Sequence, residues 1–273
     1  MPELPEVETI VRSLRVHLEG KTINYVKKYR DNLRFKIPTS LISLTKNKKI
    51  KTIYRRGKYI VFDIENNIYI ILHLGMSGKV NLSKKKYNLR KHDHIVFYTN
   101  QNLNIIYNDP RRFGMIDIYK AKNYLSHPWI VNLGPEPLNK NFDGALLLSK
   151  LIAKKTSIKI ALLDQKVLAG IGNIYACESL YMSGISPEVM ANKISKKRLD
   201  RLAYAIKKVL LKAIQAGGSS ISDYVNVNGE KGYFQNEFLI YGKNKCPGCN
   251  CKFGVKKITQ SGRSTFFCSK KQR

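Results

Sequence analysis

The sequence predicts an α+β multidomain fold in which an N-terminal β-sandwich with flanking helices precedes a helical domain and a small C-terminal module. Three observations predict it: β-rich runs concentrated before residue 120, a break marked by proline and glycine near residue 135, and helical periodicity after the break.

The first element is a helix over residues 4 to 18. Leu4, Val7, Ile10, Val11, Leu14 and Leu18 recur at three- and four-residue intervals, Pro5 lies in the first turn and Gly20 falls just past the end. From about 22 to 120 come short β-rich runs, Tyr59 to Ile64, Ile68 to Leu74, His94 to Thr99 and Leu103 to Tyr107, with turns such as Asn66-Asn67 between them. Leu133-Gly134-Pro135-Glu136-Pro137 reads as a linker. Residues 143 to 216 carry helical spacing, as in Leu146, Leu147, Leu151 and Ile152 and later Leu202, Ala205, Ile206, Val209 and Leu210. From Lys243 onward the chain is rich in Lys and Arg, lacks Asp and Glu, and holds four of its cysteines, which marks a basic module. The domain boundaries expected are 2–132, a linker at 133–138, 139–238 and 239–273.

Composition narrows the function. The 273 residues include 49 Lys+Arg against 19 Asp+Glu, a formal net charge of +30. At 43% hydrophobic residues the chain buries a core, so the charge belongs to a folded surface. Codon bias accounts for part of the lysine excess. A polyanion accounts for the rest, with nucleic acid ahead of an acidic membrane surface, because neutralised phosphates supply most of the affinity of such proteins. No apolar run reaches the roughly 18 residues of a spanning helix, and Glu3, Glu6 and Glu8 stand where a signal peptide is basic. A cytoplasmic protein with no membrane partner is expected. Five cysteines, four of them at 246, 249, 251 and 268, argue against a disulfide framework and for metal.

Several motifs carry the chemistry. The chain opens Met1-Pro2-Glu3-Leu4-Pro5-Glu6-Val7-Glu8-Thr9 and continues with Arg55-Arg56-Gly57-Lys58-Tyr59, His73-Leu74-Gly75-Met76-Ser77-Gly78, Asp109-Pro110-Arg111-Arg112-Phe113-Gly114, Gly170-Ile171-Gly172-Asn173-Ile174-Tyr175 and Gly262-Arg263-Ser264-Thr265. Taken singly each has an ordinary explanation: a helix start with acids favoured by the dipole, a solvated basic edge, a core Met or Phe. Together, in this order and over nearly the whole chain, they resemble the formamidopyrimidine-DNA glycosylase family of oxidised-purine repair enzymes.

The resemblance implies a base excision repair glycosylase and apurinic/apyrimidinic lyase. Such an enzyme removes 8-oxoguanine and formamidopyrimidines from damaged double-stranded DNA and nicks the strand by β,δ-elimination, acting as a monomer. It implies a helix–two-turns–helix element in the helical domain and a zinc-ribbon-like C-terminal hairpin. Pro2, once Met1 is removed, is the nucleophile: a secondary α-amine with pKa near about 8 keeps a useful share of free base at neutral pH. Glu3 shuttles protons, Lys58 acts as an acid on departing groups, and Arg263 contacts the phosphates of the flipped nucleotide and assists the second elimination. Glu6 holds the amine or simply caps the helix. Met76, Arg111 and Phe113 fill the void left by the extruded base. His92 and Lys154 match phosphate-binding positions, and Asn173, at a glycine-rich helix start, offers its amide and nearby N–H groups to another phosphate. The segment Gly217 to Tyr224, continuing to Phe234, reads as a lid over the damaged base or an ordinary loop.

The metal module departs from the family. Cys246-Pro-Gly-Cys249 is a zinc knuckle and Cys268 arrives on a second arm, but Lys271 stands where the family's closing Cys-x-x-Cys places its last thiolate. Cys251 is an extra cysteine. A zinc ion held by Cys246, Cys249, Cys268 and Cys251, a three-cysteine site, and a metal-free hairpin are the outcomes open. Cys177, on the helical stretch, is expected to be a buried small residue. Two rival functions stand: an endonuclease VIII-like glycosylase for oxidised pyrimidines, against which the Leu4-Pro5 opening and the Arg111/Phe113 loop speak, and a non-catalytic DNA-binding paralogue.

Overall fold

The computed structural model describes residues 1–84, 87–219, 232–249 and 254–273. The chain forms two compact units. One holds Met1–Val131 with the described part of Ala216–Tyr233, the other Asn132–Gln215 with the described part of Phe234–Arg273.

The first unit begins with α1 (Leu4–Leu18), which buries Leu4, Val7, Ile10, Val11, Leu14 and Leu18. The chain turns away at Gly20, whose φ of +83° suits a residue without Cβ. Next come β1 (Thr22–Lys28), α2 (Ser40–Thr45), β2 (Lys48–Arg56), β3 (Tyr59–Ile64), β4 (Ile68–His73), β5 (Lys79–Lys84), β6 (Asp93–Thr99), β7 (Leu103–Asn108) and β8 (Met115–Lys120). They pair antiparallel in the order β5-β7-β6-β1-β2-β3-β4-β8. Strands β1 and β2 meet only through Thr22↔Lys49 and Ile23↔Lys48, so the sheet divides there into two four-stranded halves. Val26, Phe97 and Ile105 from one half share a core with Ile53, Phe62 and Ile70 from the other, and Val7, Val11 and Leu14 of α1 join it. This is the sandwich expected, made by one continuous sheet. Each fully buried side chain of this size contributes roughly 1.5–3 kcal/mol.

The second unit contains α3 (Gly144–Leu151), α4 (Ile158–Leu163), α5 (Asn173–Ser183), α6 (Lys196–Gln215) and the hairpin β9 (Lys256–Gln260) and β10 (Arg263–Phe267). Asp143 caps α3 by accepting the Leu146 N–H at 2.8 Å, and α5 stops at Gly184 with φ +70°. Buried residues lie all round α5, Cys177 among them, as befits a central helix. In contrast, α6 buries one stripe from Leu199 to Ile214. The hairpin turn is Ser261-Gly262 with positive φ at both residues, the type I′ arrangement that matches strand twist.

Two boundaries differ from the sequence reading. Residues 133–138 are no free spacer, since Gly134 N–H donates to Gln165 O at 2.8 Å and Ala169 N–H to Pro135 O at 3.1 Å. Proline and glycine signal a change of direction, and a change of direction is compatible with packing. The described residues Ala216 to Ser219 pack with the first unit, tied there through Ser219.

Candidate active site and cysteine cluster

The reactive end of the first unit is the start of α1. Pro2 is buried, Glu3 is 3% exposed and Glu6 is 2% exposed. Glu6 Oε2 accepts the Glu3 N–H at 2.8 Å, the return half of a capping box. Its other oxygen accepts the Ser219 N–H at 2.8 Å and the Ser219 hydroxyl at 3.0 Å. One carboxylate therefore fixes the backbone beside Pro2 and the root of the segment read as a lid. The rest of that segment, from Ser220 to Tyr224 and on to residue 231, lies outside the described residues.

The basic edge at Arg55-Arg56 ends in a two-residue turn between β2 and β3, and Lys58 is the second residue of that turn. Arg56 pairs with Tyr59 across it, and Gly57 precedes Lys58 with φ +57°. Gly first in such a turn permits the tight reversal. Arg55 braces the turn: its Nη1 donates to Gly57 O at 3.2 Å, and its Nε donates to Glu8 of α1 at 2.7 Å. This pair is mostly buried, and the Glu8 carboxyl, although burial would raise its pKa, is lowered below its ordinary range by Arg55 and Arg12. Lys58 is 7% exposed, a costly position for an ammonium and a common one for a catalytic lysine.

His73 is a residue the sequence reading quoted without a role. Its Nδ1 accepts the Gly75 N–H at 3.0 Å, which leaves the ring proton on Nε2. Burial, then the Lys58 and Arg34 cations, lower its pKa from the ordinary 6.5 to about 4. It is a neutral N–H donor beside Lys58. The unfolded chain binds a proton on this ring between about pH 6.5 and 4 while the folded one does not, so its contribution to stability is complete above 6.5 and is lost as pH falls towards 4. At most about 3 kcal/mol is at stake. Urea unfolding of wild type and His73→Asn at pH 7 and 4.5 is expected to show a shallower acid loss in the variant. Equal slopes would mean that the ring carries its charge in the folded protein.

Met76, Arg111 and Phe113 come together on two adjoining loops. All are exposed, Met76 at 41% and Phe113 at 44%, and the Arg111 guanidinium carbon stands 4.9 Å from the Phe113 ring centre. Beneath them Asp109, fully buried, accepts from Ser77 Oγ at 2.5 Å, Gly114 N–H at 2.8 Å and Tyr107 O–H at 3.2 Å. Ser77 Oγ in turn accepts the Arg111 N–H at 3.1 Å. The loops also touch through backbone: a Cβ on Gly75 would lie 2.4 Å from the Phe113 carbonyl carbon. His92, half-buried with φ +74°, joins by accepting the Asp109 N–H through its carbonyl at 3.1 Å.

In the second unit Arg263 is exposed, first in β10 after the Ser261-Gly262 turn. Asn173, first in α5, donates from Nδ2 to Ser264 O at 2.8 Å and to Tyr241 Oη at 3.3 Å. Its amide thus sets the strand residue next to Arg263. Lys154 is half-exposed and donates to Asp164 at 2.8 Å. Glu178, buried in α5, accepts the N–H groups of Leu239, Ile240 and Tyr241 at 2.8–2.9 Å and so anchors the chain leading to the cysteines.

The sulfurs of Cys246, Cys249 and Cys268 lie within 4.8 Å of one another, with Cys249 and Cys268 3.5 Å apart. Zinc–sulfur bonds of about 2.3 Å at tetrahedral angles place sulfurs about 3.8 Å apart, so the three fit one zinc ion. Burial would raise the Cys246 thiol, but hydrogen bonds led by Tyr181 bring it down to about 7, towards the thiolate a metal requires. Cys251 lies outside the described residues.

Family models for the formamidopyrimidine-DNA glycosylase N-terminal domain and H2TH domain match residues 1–116 and 133–225. The chain belongs to the formamidopyrimidine-DNA glycosylase family. The enzyme of that name from Rhodospirillum centenum is 43% identical over the full length of both chains, and that from Ruegeria sp. 42%. Among solved structures, a Lactococcus lactis Fpg mutant in complex with a Fapy-dG containing DNA matches at a TM-score of 0.91 and 35% identity over all of both chains. The Lactococcus lactis Fpg bound to abasic-site DNA matches at 0.90 and 36% over 99% of each. Among the described residues no helix is long and apolar enough to cross a membrane.

Proposed function

We propose that this member of the formamidopyrimidine-DNA glycosylase family excises oxidised purines, 8-oxoguanine and formamidopyrimidines, from duplex DNA in the cytoplasm and then nicks the strand. The observation that carries the reading is the start of α1, where Pro2 and Glu3 are buried and Glu6 fixes the intervening backbone. With Met1 removed, the Pro2 amine adds to the sugar C1′, the glycosidic bond breaks and the base leaves with a proton. Glu3 is suited to exchange protons with the opening sugar ring. The resulting iminium acidifies C2′–H, whose loss expels the 3′ phosphate, and a second elimination expels the 5′ phosphate. Lys58 in its braced turn supplies a cation and a proton near the sugar. Arg263 stabilises charge on the departing phosphate. Met76, Arg111 and Phe113 occupy the gap in the stack, and His92, Lys154 and Asn173 supply phosphate contacts, Asn173 through the backbone N–H groups at the start of α5, since its amide donates to Ser264 O and Tyr241 Oη; each is exposed or half-buried.

The cysteines hold a structural zinc through Cys246, Cys249 and Cys268, with Cys251 as fourth ligand. The ion would tie the hairpin that carries Arg263 and adds folding free energy.

Borohydride reduces an iminium to a permanent amine. Wild type mixed with an 8-oxoguanine duplex and borohydride is expected to give a covalent protein–DNA band, and protein retaining Met1, whose Pro2 nitrogen is an amide, none. An equal band from both forms would remove Pro2 from the mechanism, and no band from either would favour a non-catalytic DNA-binding role.

A further inference from the structure

Tyr181 stands beside the cysteine cluster with its hydrogen-bonding capacity fully assigned. Its side chain is buried at 1% exposure on α5, and its oxygen lies 3.2 Å from Cys246 Sγ. The same oxygen accepts the Gly248 N–H at 3.0 Å and the Lys271 ammonium at 3.4 Å. A phenol oxygen has two lone pairs and one proton. With both lone pairs taken by donors that have nothing to accept with, the proton points at the sulfur. Lys271 is further held over the Tyr181 ring, its nitrogen 4.5 Å from the ring centre. Gly248 leaves room for this arrangement, since a Cβ there would lie 2.3 Å from Lys271 Nζ and 2.7 Å from Tyr181 Oη.

We infer that Tyr181, oriented by Lys271 and Gly248, donates a hydrogen bond to the Cys246 thiolate and is a positioning residue for a zinc ion on this cluster. The inference rests on the reading of Cys246, Cys249 and Cys268 as zinc ligands. Lys271, which cannot ligate while protonated, serves the site in another way. It directs the tyrosine proton, and its positive charge offsets that of a thiolate cluster. Partners that orient a ligand from outside the coordination shell commonly contribute 10–100-fold to metal affinity.

The test uses the full-length protein with zinc or cobalt(II) as the only added ligand. Zinc per chain is counted by mass spectrometry, retention is followed against a chelator, and the cobalt form is read by its thiolate charge-transfer band. Wild type is expected to hold one zinc. Tyr181→Phe is expected to lose it about 10-fold more readily and to shift the cobalt band. Lys271→Met, an exposed change that leaves the fold intact, moves retention in the same direction, and Lys271→Arg restores it. Zinc retention and cobalt band unchanged in both Tyr181→Phe and Lys271→Met overturn the inference while leaving the metal site standing. A wild type that takes up no zinc overturns the metal site and the inference together.

Discussion

Glu3→Gln is expected to lower base excision by about 10²–10⁴-fold, the range of a positioned general acid or base, while binding to lesion-containing duplex changes by no more than a few fold. The exchange keeps the size and one acceptor oxygen of the side chain but removes its charge and its capacity to take up and release a proton. The local fold should survive it, because both halves of the capping box are kept: the Gln carbonyl oxygen can still accept the Glu6 N–H that the Glu3 side chain accepts, and Glu6 still accepts the backbone N–H of residue 3. Binding is dominated by phosphate contacts from a chain of net charge +30, against which one neutralised acid is a small term. Single-turnover excision and salt-matched binding titrations separate the two effects. Parallel loss of binding and excision would assign Glu3 to the helix start alone.

Much of this site is legible in the sequence because its pieces are local. The ends of α1 follow from Pro5 and Gly20, whereas the turn at Gly57-Lys58 is hidden within a basic run. The joints between the pieces are not legible. Arg55 meets Glu8 across 47 positions, Glu178 meets Leu239 to Tyr241 across more than 60, and Ser219 meets Glu6 across 213. Hydrogen bonds of this kind leave no period in the chain, and the residues making them look like ordinary surface charges until burial is known. Glu6 shows the consequence. Helix physics accounts for its contact with Glu3, but the bonds to Ser219 make it a link between the N-terminus and the segment that follows α6. Asp109 is similar: the motif containing it draws attention to Arg111 and Phe113, while the buried acid beneath them ties Ser77 and Gly114 of the two loops.

Asp109→Ala is expected to cost about 3–5 kcal/mol of stability, more than any exposed residue of the same loops. Ser77 Oγ, the Gly114 N–H and the Tyr107 hydroxyl would each lose their acceptor in a buried place, and a buried polar group left unsatisfied costs about 1–3 kcal/mol. Partial relaxation and water entry keep the sum below three full penalties. The stability loss has a functional counterpart, because Ser77 also accepts the Arg111 N–H: once Ser77 is freed, the loops bearing Met76 and Phe113 lose their common brace. Phe113→Ala supplies the comparison. Its 44% exposed ring contributes little to the fold, so this variant should keep wild-type stability. It should lose excision from intact duplex more than cleavage at a preformed abasic site, where no base has to be unstacked. Asp109→Ala should show that same substrate bias at temperatures where it remains folded, together with a lower urea midpoint. If it unfolds at the wild-type midpoint, the carboxylate does not brace the loops. If it is destabilised but cleaves both substrates in wild-type proportion, the brace serves the fold without setting the wedge.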